Sequence, residues 1–434
     1  MSAPPGIGRR PDRVALVSQW YPPEPAPFAE GITGSLRRQG FDVDVLTGVP
    51  NYPRGVVYDG YSARRRSVET RDGGRVLRTP LHPSHDRSAL GRAANYLSWA
   101  ASSSLLGASV LRTADVALVY SSPVTATTAA MAARQRWGTP YVTMVLDLWP
   151  DSVFATGFLT DGATRRLAEA TLGWFTDRTY RWADHVTVPT PGLRDTIIAR
   201  GVPAGKVSVV YNWADEKVMR PSEPEPGLRA RLGLHDEDFL LMYAGNHGPA
   251  QRLDTVIDAV ARLHDLPDVH LVLVGDGMEK DALMARAARS RPGHVHFLDP
   301  VPPDRLAARM AAADLHLVSL ADDPLFRITL PSKVQSILAC GQPVLACAPG
   351  DAARVVRHAG AGFDVAPGDP ASLAAVLRQA RQMPRSRLRA MGRVGRHHYL
   401  THMSEATNVR VLADLLTDAA RRARSDTRRD KESR

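Results

Sequence analysis

Cysteine is the scarcest informative residue: the 434-residue chain has two, Cys340 and Cys347, both within an apolar helix–strand segment. Small secreted domains that depend on disulfides carry more, so we expect a reduced, cytoplasmic protein whose two cysteines pack in the core. Long apolar runs are missing too. No window of about 20 apolar residues exists, so no segment is predicted to span a bilayer. The 14 histidines show no metal-ligand spacing, and no metal site is predicted.

Aromatic residues make up only 6% of the chain, whereas basic residues exceed acidic ones, 55 to 45, for a net charge of +10. Such an excess suits nucleic acid, an anionic membrane surface or an anionic substrate. Single-strand nucleic-acid binders interleave basic with aromatic residues, and this chain does not. The stretch from Arg421 onward mixes charge signs and is poor in apolar residues. It is predicted to be a frayed helix end that continues into a disordered basic tail over residues 424–434.

Strand-like apolar runs alternate with helical segments twice along the chain. Continuous apolar runs are typical of strands buried on both faces of a parallel sheet, so the pattern predicts two doubly wound α/β domains. The expected domains cover residues 1–215 and 216–395, and a helix over 396–423 is expected to pack back on the first. The predicted strands are Val14–Ser18, Val43–Thr47, Val116–Tyr120, Tyr141–Val145, Val186–Pro189, Leu240–Ala244, His270–Val274, Asp314–Leu320, Val344–Cys347 and Gly362–Val365.

Two segments of the second domain together predict a phosphate-sized site. An apolar strand runs into the turn Gly245–Gly248 and then a helix, and another helix begins near Thr329–Ser332 with Lys333 in its first turn. Unpaired N–H groups and the helix dipole both favour an anion at a helix N-terminus. A third turn, Gly275–Gly277, ends the strand between them. These features predict a nucleotide-type ligand at the carboxyl ends of parallel strands.

Eight stretches in order resemble family 4 glycosyltransferases, which are retaining enzymes with the two-domain GT-B fold. The resemblance is greatest to the subgroup that builds bacterial surface polysaccharides, of the fucosamine-transferase and colanic-acid type. It extends over nearly the whole chain to about residue 380. The stretches are SQWYPPEPAPFAEGITGSLRRQGFDVDVLTGVPNYPRG, DLWPDSVFATGF, YNWAD, YAGNHGPAQRLD, LVGDGMEKDAL, FLDPVPPDRL, LPSKVQSILACGQPV and GAGFDVAPGDPASL.

The resemblance implies a nucleotide-sugar donor, expected to be UDP-linked, on the second domain. It implies an acceptor on the first domain, expected to be lipid-linked or a polysaccharide precursor. Protein cations replace the metal that other glycosyltransferases use, so neither metal nor cofactor is expected. The enzyme would work in the cytoplasm, at the inner face of the cell membrane. The implied donor-site residues are Gly245, Asn246, His247, Gly248, Arg252, Gly275, Asp276, Gly277, Leu298, Arg327, Thr329, Ser332, Lys333 and Ser336.

The chain departs from the wider family at several of these positions. Many members carry two glutamates, of which the second holds the ribose; the corresponding residues here are Ile328 and Ser336. A serine hydroxyl bonds a ribose hydroxyl less strongly than a carboxylate does. The usual Arg…Lys pair after the glycine turn is also missing, and Gln251 precedes Arg252 in its place. Arg252 is therefore either a replacement phosphate ligand or a solvated helix start.

On the acceptor side, Asp147 is the first candidate for catalysis. It follows the strand Tyr141–Val145, and a carboxylate there can orient or deprotonate an acceptor hydroxyl. The alternative is a cap for the turn that follows. Glu24, in the loop after the first strand, is the second catalytic candidate.

Residues 88–112 form an apolar stretch rich in small residues, with Tyr96 and Trp99 inside it and Arg92 and Arg112 towards its ends. Aromatic and basic residues favour a membrane interface, so contact with an anionic inner membrane surface is predicted. The alternative is a buried helix of the first domain.

Three other functions compete with glycosyl transfer. A nucleotide-sugar epimerase on the same fold would need carboxylates around the donor sugar, and few are present there. A basic nucleic-acid-binding protein would show steep salt dependence and no nucleotide-sugar affinity. A dinucleotide oxidoreductase is disfavoured because the first strand is followed by SQWYPPEPAP rather than GxGxxG.

Overall fold

The computed structural model describes residues 13–84, 89–151 and 163–432, which divide into two compact units. The first unit contains the described residues up to Pro189, then Leu193–Val210 and the chain from Val409 onward. The second unit contains Thr190–Gly192 and Tyr211–Asn408. The changes of unit at residues 210/211 and 408/409 lie 5 residues before and 13 residues after the expected boundaries at 215/216 and 395/396.

The first unit is built on an eight-stranded sheet with the order β3-β4-β2-β1-β5-β6-β7-β8. Every neighbouring pair is parallel except the hairpin β3–β4. β1 lies between β2 and β5, so the strand order reverses there. The strands are β1 (Arg13–Val17), β2 (Asp42–Gly48), β3 (Ser67–Arg71), β4 (Gly74–Thr79), β5 (Val116–Tyr120), β6 (Tyr141–Met144), β7 (His185–Val188) and β8 (Val207–Val209).

The helices of this unit lie between its strands, and their spacing explains why they pack. In α1 the residues Ala29, Ile32 and Leu36 are buried and recur at helical spacing, so one face covers the sheet. Short 3-10 turns at Val124–Ala126 and Ala204–Lys206 complete the connections. The helices are α1 (Pro27–Arg38), α2 (Ala89–Leu106), α3 (Ala108–Leu111), α4 (Thr127–Trp137), α5 (Ala163–Trp182) and α6 (Pro191–Ala199).

The second unit holds a six-stranded, fully parallel sheet with the order β11-β10-β9-β12-β13-β14. Leu240 to Tyr243 of the central strand are all fully buried. Alternate side chains point to opposite faces, so this strand is covered on both sides. The strands are β9 (Phe239–Ala244), β10 (Val269–Val274), β11 (Val295–Leu298), β12 (Leu315–Ser319), β13 (Val344–Cys347) and β14 (Gly362–Val365).

Helices cover both faces of this second sheet. Leu253, Val256, Ile257 and Val260 of α8 are fully buried, in agreement with their helical spacing. The helices are α7 (Leu228–Arg231), α8 (Leu253–Ala261), α9 (Lys280–Ser290), α10 (Pro303–Ala311), α11 (Pro324–Arg327), α12 (Ser332–Ala339), α13 (Gly350–His358), α14 (Pro370–Gln382) and α15 (Arg385–His398).

A π-helical segment, Tyr399–Met403, leads into the last helix, α16 (Glu405–Glu432). From Val409 onward this helix belongs to the first unit, where the Asp418 carboxylate lies 2.9 Å from Nε2 of His185. It continues to Glu432, so the prediction of a disordered tail from residue 424 is wrong for the residues described. Within the described residues, no helix combines the length and hydropathy needed to cross a membrane.

The fold class is confirmed: both units are α/β with Rossmann-like parallel sheets. The predicted strands agree with observed ones to within a residue at each end. Four strands were not predicted: β3, β4, β8 and β11. They are short or polar, as in the exposed SVETR of β3, and so lack the apolar runs on which the prediction relied.

Candidate functional site

The second sheet places the glycine turn at its point of reversal. β9 pairs with β10 on one side and β12 on the other, and Gly245–Gly248 directly follows β9. In open α/β sheets, ligands bind outside the carboxyl ends of strands where the strand order reverses. The turn that ends β10 and the residues leading into α12 belong to the same unit, so the predicted donor elements share one domain.

The two glycine turns pack backbone against backbone. A Cβ on Gly275 would lie 2.0 Å from the Gly245 carbonyl oxygen, and one on Gly277 would lie 2.4 Å from that of His247. Both glycines have positive φ, 140° and 157°. Only a residue without a side chain allows this approach. Gly275 and Gly277 are therefore required for the shape of the site, whatever it binds.

The turn 245–248 is less open to an anion than its sequence suggests. Three of its four backbone N–H groups already donate to protein oxygens, at 2.8, 2.7 and 3.2 Å. A 3-10 turn, Pro249–Gln251, separates it from α8, so the expectation that a helix follows the turn directly is wrong. Anion binding by free N–H groups therefore falls mainly to the other predicted element, the start of α12.

Helix α12 begins without a side-chain cap. Pro331 occupies the N-cap position and its side chain offers no acceptor, so the first N–H groups of the helix have no cap to bond. Ser332 and Lys333 are the first two residues of the helix, as predicted. This combination provides the dipole and the unpaired donors that favour an anion.

Lys333 reaches across to the glycine turn. Its Nζ lies 4.9 Å from the centre of the Tyr243 ring, and a Cβ on Gly245 would lie 2.5 Å from its Cε. The glycine thus makes room for the lysine side chain. Burial lowers the Lys333 pKa, because the ammonium loses water and gains no carboxylate in the described part of the chain.

The other two predicted cations are already paired. Arg252 makes two 3.0 Å bonds to the Asp254 carboxylate, and Arg327 makes two 3.0 Å bonds to Asp322. Each guanidinium is largely neutralised by its partner. Among these three candidates, Lys333 is the one whose positive charge is left for a ligand.

A cavity of about 240 Å³ opens beside Lys333. Gly245, Ser332, Lys333 and Ser336 line it, so four predicted residues come together. The Ser336 hydroxyl donates to the Ser332 carbonyl oxygen at 3.0 Å, and its oxygen can still accept one bond from a ligand. The rest of the lining is mainly apolar, from β9, α10 and β12.

His316 also lines this cavity, although no role was predicted for it from the sequence. Its side chain is 2% exposed, and its Nε2 has no partner among the described residues. Burial lowers the His316 pKa to about 4, so the ring is neutral at pH 7. The available signal was a histidine inside the otherwise apolar strand LHLVS.

The remaining predicted donor residues have mainly internal contacts. His247 is fully buried, with ring centres of Tyr243 and Phe297 at 6.0 and 6.3 Å, which favours a role in filling the turn. Asp276, Leu298 and Thr329 each use an oxygen atom in a hydrogen bond within the protein. Asp276 Oδ1 accepts from the Gly277 N–H at 2.8 Å, Leu298 O accepts from the Gly275 N–H at 2.9 Å, and Thr329 Oγ1 donates to Phe326 O at 3.4 Å. Asn246 Nδ2 donates to Gln251 Oε1 at 3.2 Å.

In the first unit, Asp147 lies just beyond the end of β6. Its side chain is exposed, and its Oδ2 accepts a 2.8 Å bond from the Ser122 hydroxyl. Burial, with a smaller contribution from the Asp147 charge, raises the pKa of Tyr120 to about 12. One carboxylate oxygen is thus held by Ser122, while the other remains accessible to a substrate hydroxyl.

Glu24 is placed differently. It is 2% exposed and accepts bonds from the backbone N–H groups of Tyr21, Asn51 and Tyr52 at 3.2, 2.9 and 2.9 Å. Burial raises its pKa, and the three N–H bonds act in the opposite direction. This carboxylate joins the loops after β1 and β2, an arrangement that favours structural anchoring over proton transfer.

Aromatic rings surround the same edge of the first sheet. Trp20 lies 5.2 Å from Tyr52 and 6.4 Å from Tyr96, and Tyr96 lies 6.0 Å from Trp149, between ring centres. All four are half-buried. They come from three loops and one helix, so their meeting was not predictable from the sequence. We call these four residues the aromatic cluster.

Helix α2 covers most of the stretch predicted to touch a membrane. Trp99, whose ring motivated that prediction, is fully buried and faces the core. The exposed face carries Leu90, Leu97 and Leu105 instead, which are 84%, 61% and 66% exposed. Their spacing of seven and eight residues puts them on one side of the helix. We call these three residues the leucine face.

Comparison with known proteins places both units in one class. Residues 25–213 match the glycosyl transferase 4-like domain, and residues 225–398 match glycosyl transferases group 1. The chain is 28% identical over 313 residues to the putative colanic acid biosynthesis glycosyl transferase WcaI of Escherichia coli, covering 70% of this chain and 75% of WcaI. Probable glycosyltransferase WbjE of Pseudomonas aeruginosa is 23% identical over 269 residues, 61% of this chain and 66% of WbjE.

The fold is also found among solved structures. The Anabaena protein HepE in complex with UDP aligns with a TM-score of 0.65 at 18% identity, over 94% of this chain and 99% of HepE. At this identity the likeness bears on the fold, which agrees with the two parallel sheets described above.

Proposed function

Because the chain is a glycosyltransferase with the GT-B fold, we propose that it moves a sugar from a UDP-linked donor to a lipid-linked saccharide acceptor, with retention and without a metal. The main support for a donor site in the second unit is the position of Lys333. Its ammonium lies beside an uncapped helix start at the reversal point of the second sheet, with no carboxylate to neutralise it in the described chain.

The proposed chemistry needs charge stabilisation on the leaving group. As the bond between the sugar and the diphosphate breaks, negative charge grows on the diphosphate oxygen. Lys333 and the first N–H groups of α12 would stabilise that charge more strongly than the charge of the bound donor. Partial burial of the ammonium strengthens the interaction, because less water competes for it.

The nucleotide assignment is supported by comparison. HepE was solved with UDP and also with UDP and glucose. In this chain, Ser336 would replace the ribose-binding carboxylate, and the small cavity beneath it could admit ordered water or part of the nucleoside. The epimerase and nucleic-acid alternatives gain no support from the matched domains.

On the acceptor side, we propose that Asp147 accepts the proton of the attacking hydroxyl. Ser122 holds one carboxylate oxygen, which fixes the orientation of the group and leaves the second oxygen for the acceptor. The aromatic cluster lies at the same edge of the sheet. Half-buried rings offer apolar area at low entropic cost, which suits a sugar face or an isoprenoid chain.

A lipid-linked acceptor is favoured by continuity between the aromatic cluster and α2. Tyr96 of the cluster and Leu97 of the leucine face are consecutive residues of α2, about 100° apart around the helix, so the two surfaces lie next to each other. An apolar chain could pass from a membrane along this face to the rings near Asp147. Peripheral attachment at the inner face of the cell membrane follows from the same proposal.

The test begins with UDP binding to the full-length protein by calorimetry. Lys333→Ala should weaken UDP binding by about 1.5–3 kcal/mol, the usual loss for a charge-assisted bond. Arg252→Ala and Arg327→Ala, which remove paired arginines, should have much smaller effects. Lys217→Ala, at an exposed lysine outside the site, is the matched control. Equal UDP affinity in the wild type and Lys333→Ala, with the fold intact, would remove Lys333 from the donor site.

A further inference from the structure

A larger cavity lies at the opposite edge of the second sheet. Its volume is about 760 Å³, within the range of roughly 300–1,000 Å³ typical of small-molecule sites. Asp236, Ala311–Asp314 and Gly341–Pro343, the segments just before β9, β12 and β13, form part of its wall. Since the donor residues follow the carboxyl ends of these strands, the two sites are at opposite ends of the sheet.

Three arginines on one face of α15 line this cavity. Arg385, Arg389 and Arg393 recur every four residues, so their side chains lie on the same side of the helix. Arg385 binds the Asp314 carboxylate at 2.9 Å. Arg389 and Arg393 are exposed, and neither has a carboxylate partner in the described part of the chain. The two guanidinium groups are therefore available to an anion.

The charge balance around the cavity is positive. Two of its carboxylates are each bound by two arginines: Asp314 by Arg229 and Arg385, and Glu225 by Arg231 and Arg309. The cavity also contains Glu223 and Asp236, against Arg389 and Arg393. Four arginines and four carboxylates line the cavity, and Arg231 and Arg309 bind Glu225 from outside that lining. Counting these two outer arginines leaves two positive charges around the cavity. That excess matches a ligand with two negative charges, such as a phosphate monoester.

The cavity also touches the helix that carries Lys333. Gly341 and Gln342 in its wall follow α12 after one intervening residue, Cys340, and a Cβ on Gly392 of α15 would lie 2.2 Å from the Gly341 carbonyl oxygen. Arg396 of α15 donates to the Ala339 carbonyl at the end of α12. An eight-residue helix is about 12 Å long. A ligand held by α15 would therefore act on one end of α12 while the donor diphosphate occupies the other.

We propose that the cavity lined by Arg389 and Arg393 binds a phosphorylated small molecule with two negative charges, and that its occupancy changes UDP affinity through α12. The binding step stands apart from the proposed function, whereas the coupling step rests on UDP binding near Lys333. Coupling between two sites is reciprocal, so UDP must change the affinity of the second ligand by the same factor.

The binding step is tested by calorimetry with glucose 6-phosphate as the probe. The wild type and Arg387→Ala should bind it equally, because Arg387 is an exposed α15 residue outside the cavity. The double variant Arg389→Ala/Arg393→Ala should bind it at least about tenfold more weakly, since two charge-assisted contacts are lost. The double lysine variant keeps both charges and should restore part of the affinity. Equal binding by the wild type and the double alanine variant would overturn the site.

The coupling step is tested by titrating UDP with and without saturating glucose 6-phosphate. UDP affinity should shift in the wild type and in Arg387→Ala, and should not shift in the double alanine variant. Competition at the donor site would give the same shift in all three proteins and would overturn the coupling. Failure of UDP to bind the wild type at all would instead refute the proposed function, and glucose 6-phosphate binding would still report on the arginine cavity.

Discussion

The carboxyl edges of the two sheets are built from different materials. In the second unit the edge is made of glycine turns, an uncapped helix start and one unneutralised lysine. In the first unit it is made of aromatic rings and side chains that bond one another, such as the 2.5 Å contact from Gln19 Nε2 to Asn95 Oδ1. Backbone groups and a cation suit a diphosphate, whereas rings and a carboxylate suit a hydroxyl-bearing, partly apolar acceptor.

The largest expected effect is on the first edge, from Asp147→Asn. The amide keeps the shape and the contact with Ser122 but cannot take a proton. General-base contributions are about 100- to 10,000-fold, so turnover should fall by that order while UDP affinity stays the same. A sugar-transfer assay and UDP calorimetry on the same preparation measure the turnover and the UDP affinity.

Two neighbouring changes make the Asp147 result interpretable. Ser122→Ala removes the group that orients the carboxylate and should reduce turnover less than Asp147→Asn. Glu24→Gln should lower the melting temperature, because a buried acceptor of three N–H bonds is weakened. If Asp147→Asn transfers sugar at the wild-type rate, the difference between the two edges does not extend to catalysis.

On the second edge, the expected effect of Gly275→Ala is on stability. The added Cβ would lie 2.0 Å from a carbonyl oxygen at φ +140°, and the backbone must move to relieve it. Losses of about 3 kcal/mol in the free energy of unfolding are expected, combining strain and overpacking. Gly293→Ala is the matched control, since φ is +78° but no atom lies within 4 Å. Its loss should be near 1 kcal/mol. Urea unfolding of both variants measures the difference.

The difference between the two edges also explains which site residues could be predicted from the sequence. Glycine turns and a lysine in a helix's first turn are local signals, so the residues lining the 240 Å³ cavity were found from sequence, apart from His316 and the apolar walls. The aromatic cluster brings together residues that are far apart in the sequence, from Trp20 to Trp149. No local sequence pattern predicts a contact of this kind. Trp99 was misjudged because a helix with apolar residues on several sides does not show which face packs inward.

Acid should destabilise the second unit in part through His316, one of its buried histidines. The His316 pKa is about 4 when folded and near 6.5 when exposed, so the unfolded chain binds the proton first. His316 therefore favours folding fully above pH 6.5, and this contribution is lost as the pH falls towards 4. The loss is about 1.4 kcal/mol per pH unit at most, or about 2 kcal/mol between pH 6.5 and 5. His316→Gln should flatten that part of the unfolding profile; an unchanged slope would show that His316 does not titrate there.

The smallest expected effect is on membrane binding by the first unit. The wild type should float with anionic vesicles at low salt and less so at high salt, because basic residues and the leucine face act together. Leu97→Glu and Leu105→Glu place a charge on that face and should each reduce the bound fraction several-fold. Val68→Glu, at an exposed valine of β3, should not. Trp99 is buried, so Trp99→Phe should leave vesicle binding unchanged.

If the wild type stays with the soluble fraction at low salt, the leucine face is not a membrane contact. The proposed path for a lipid chain from the membrane to the aromatic cluster then loses its support.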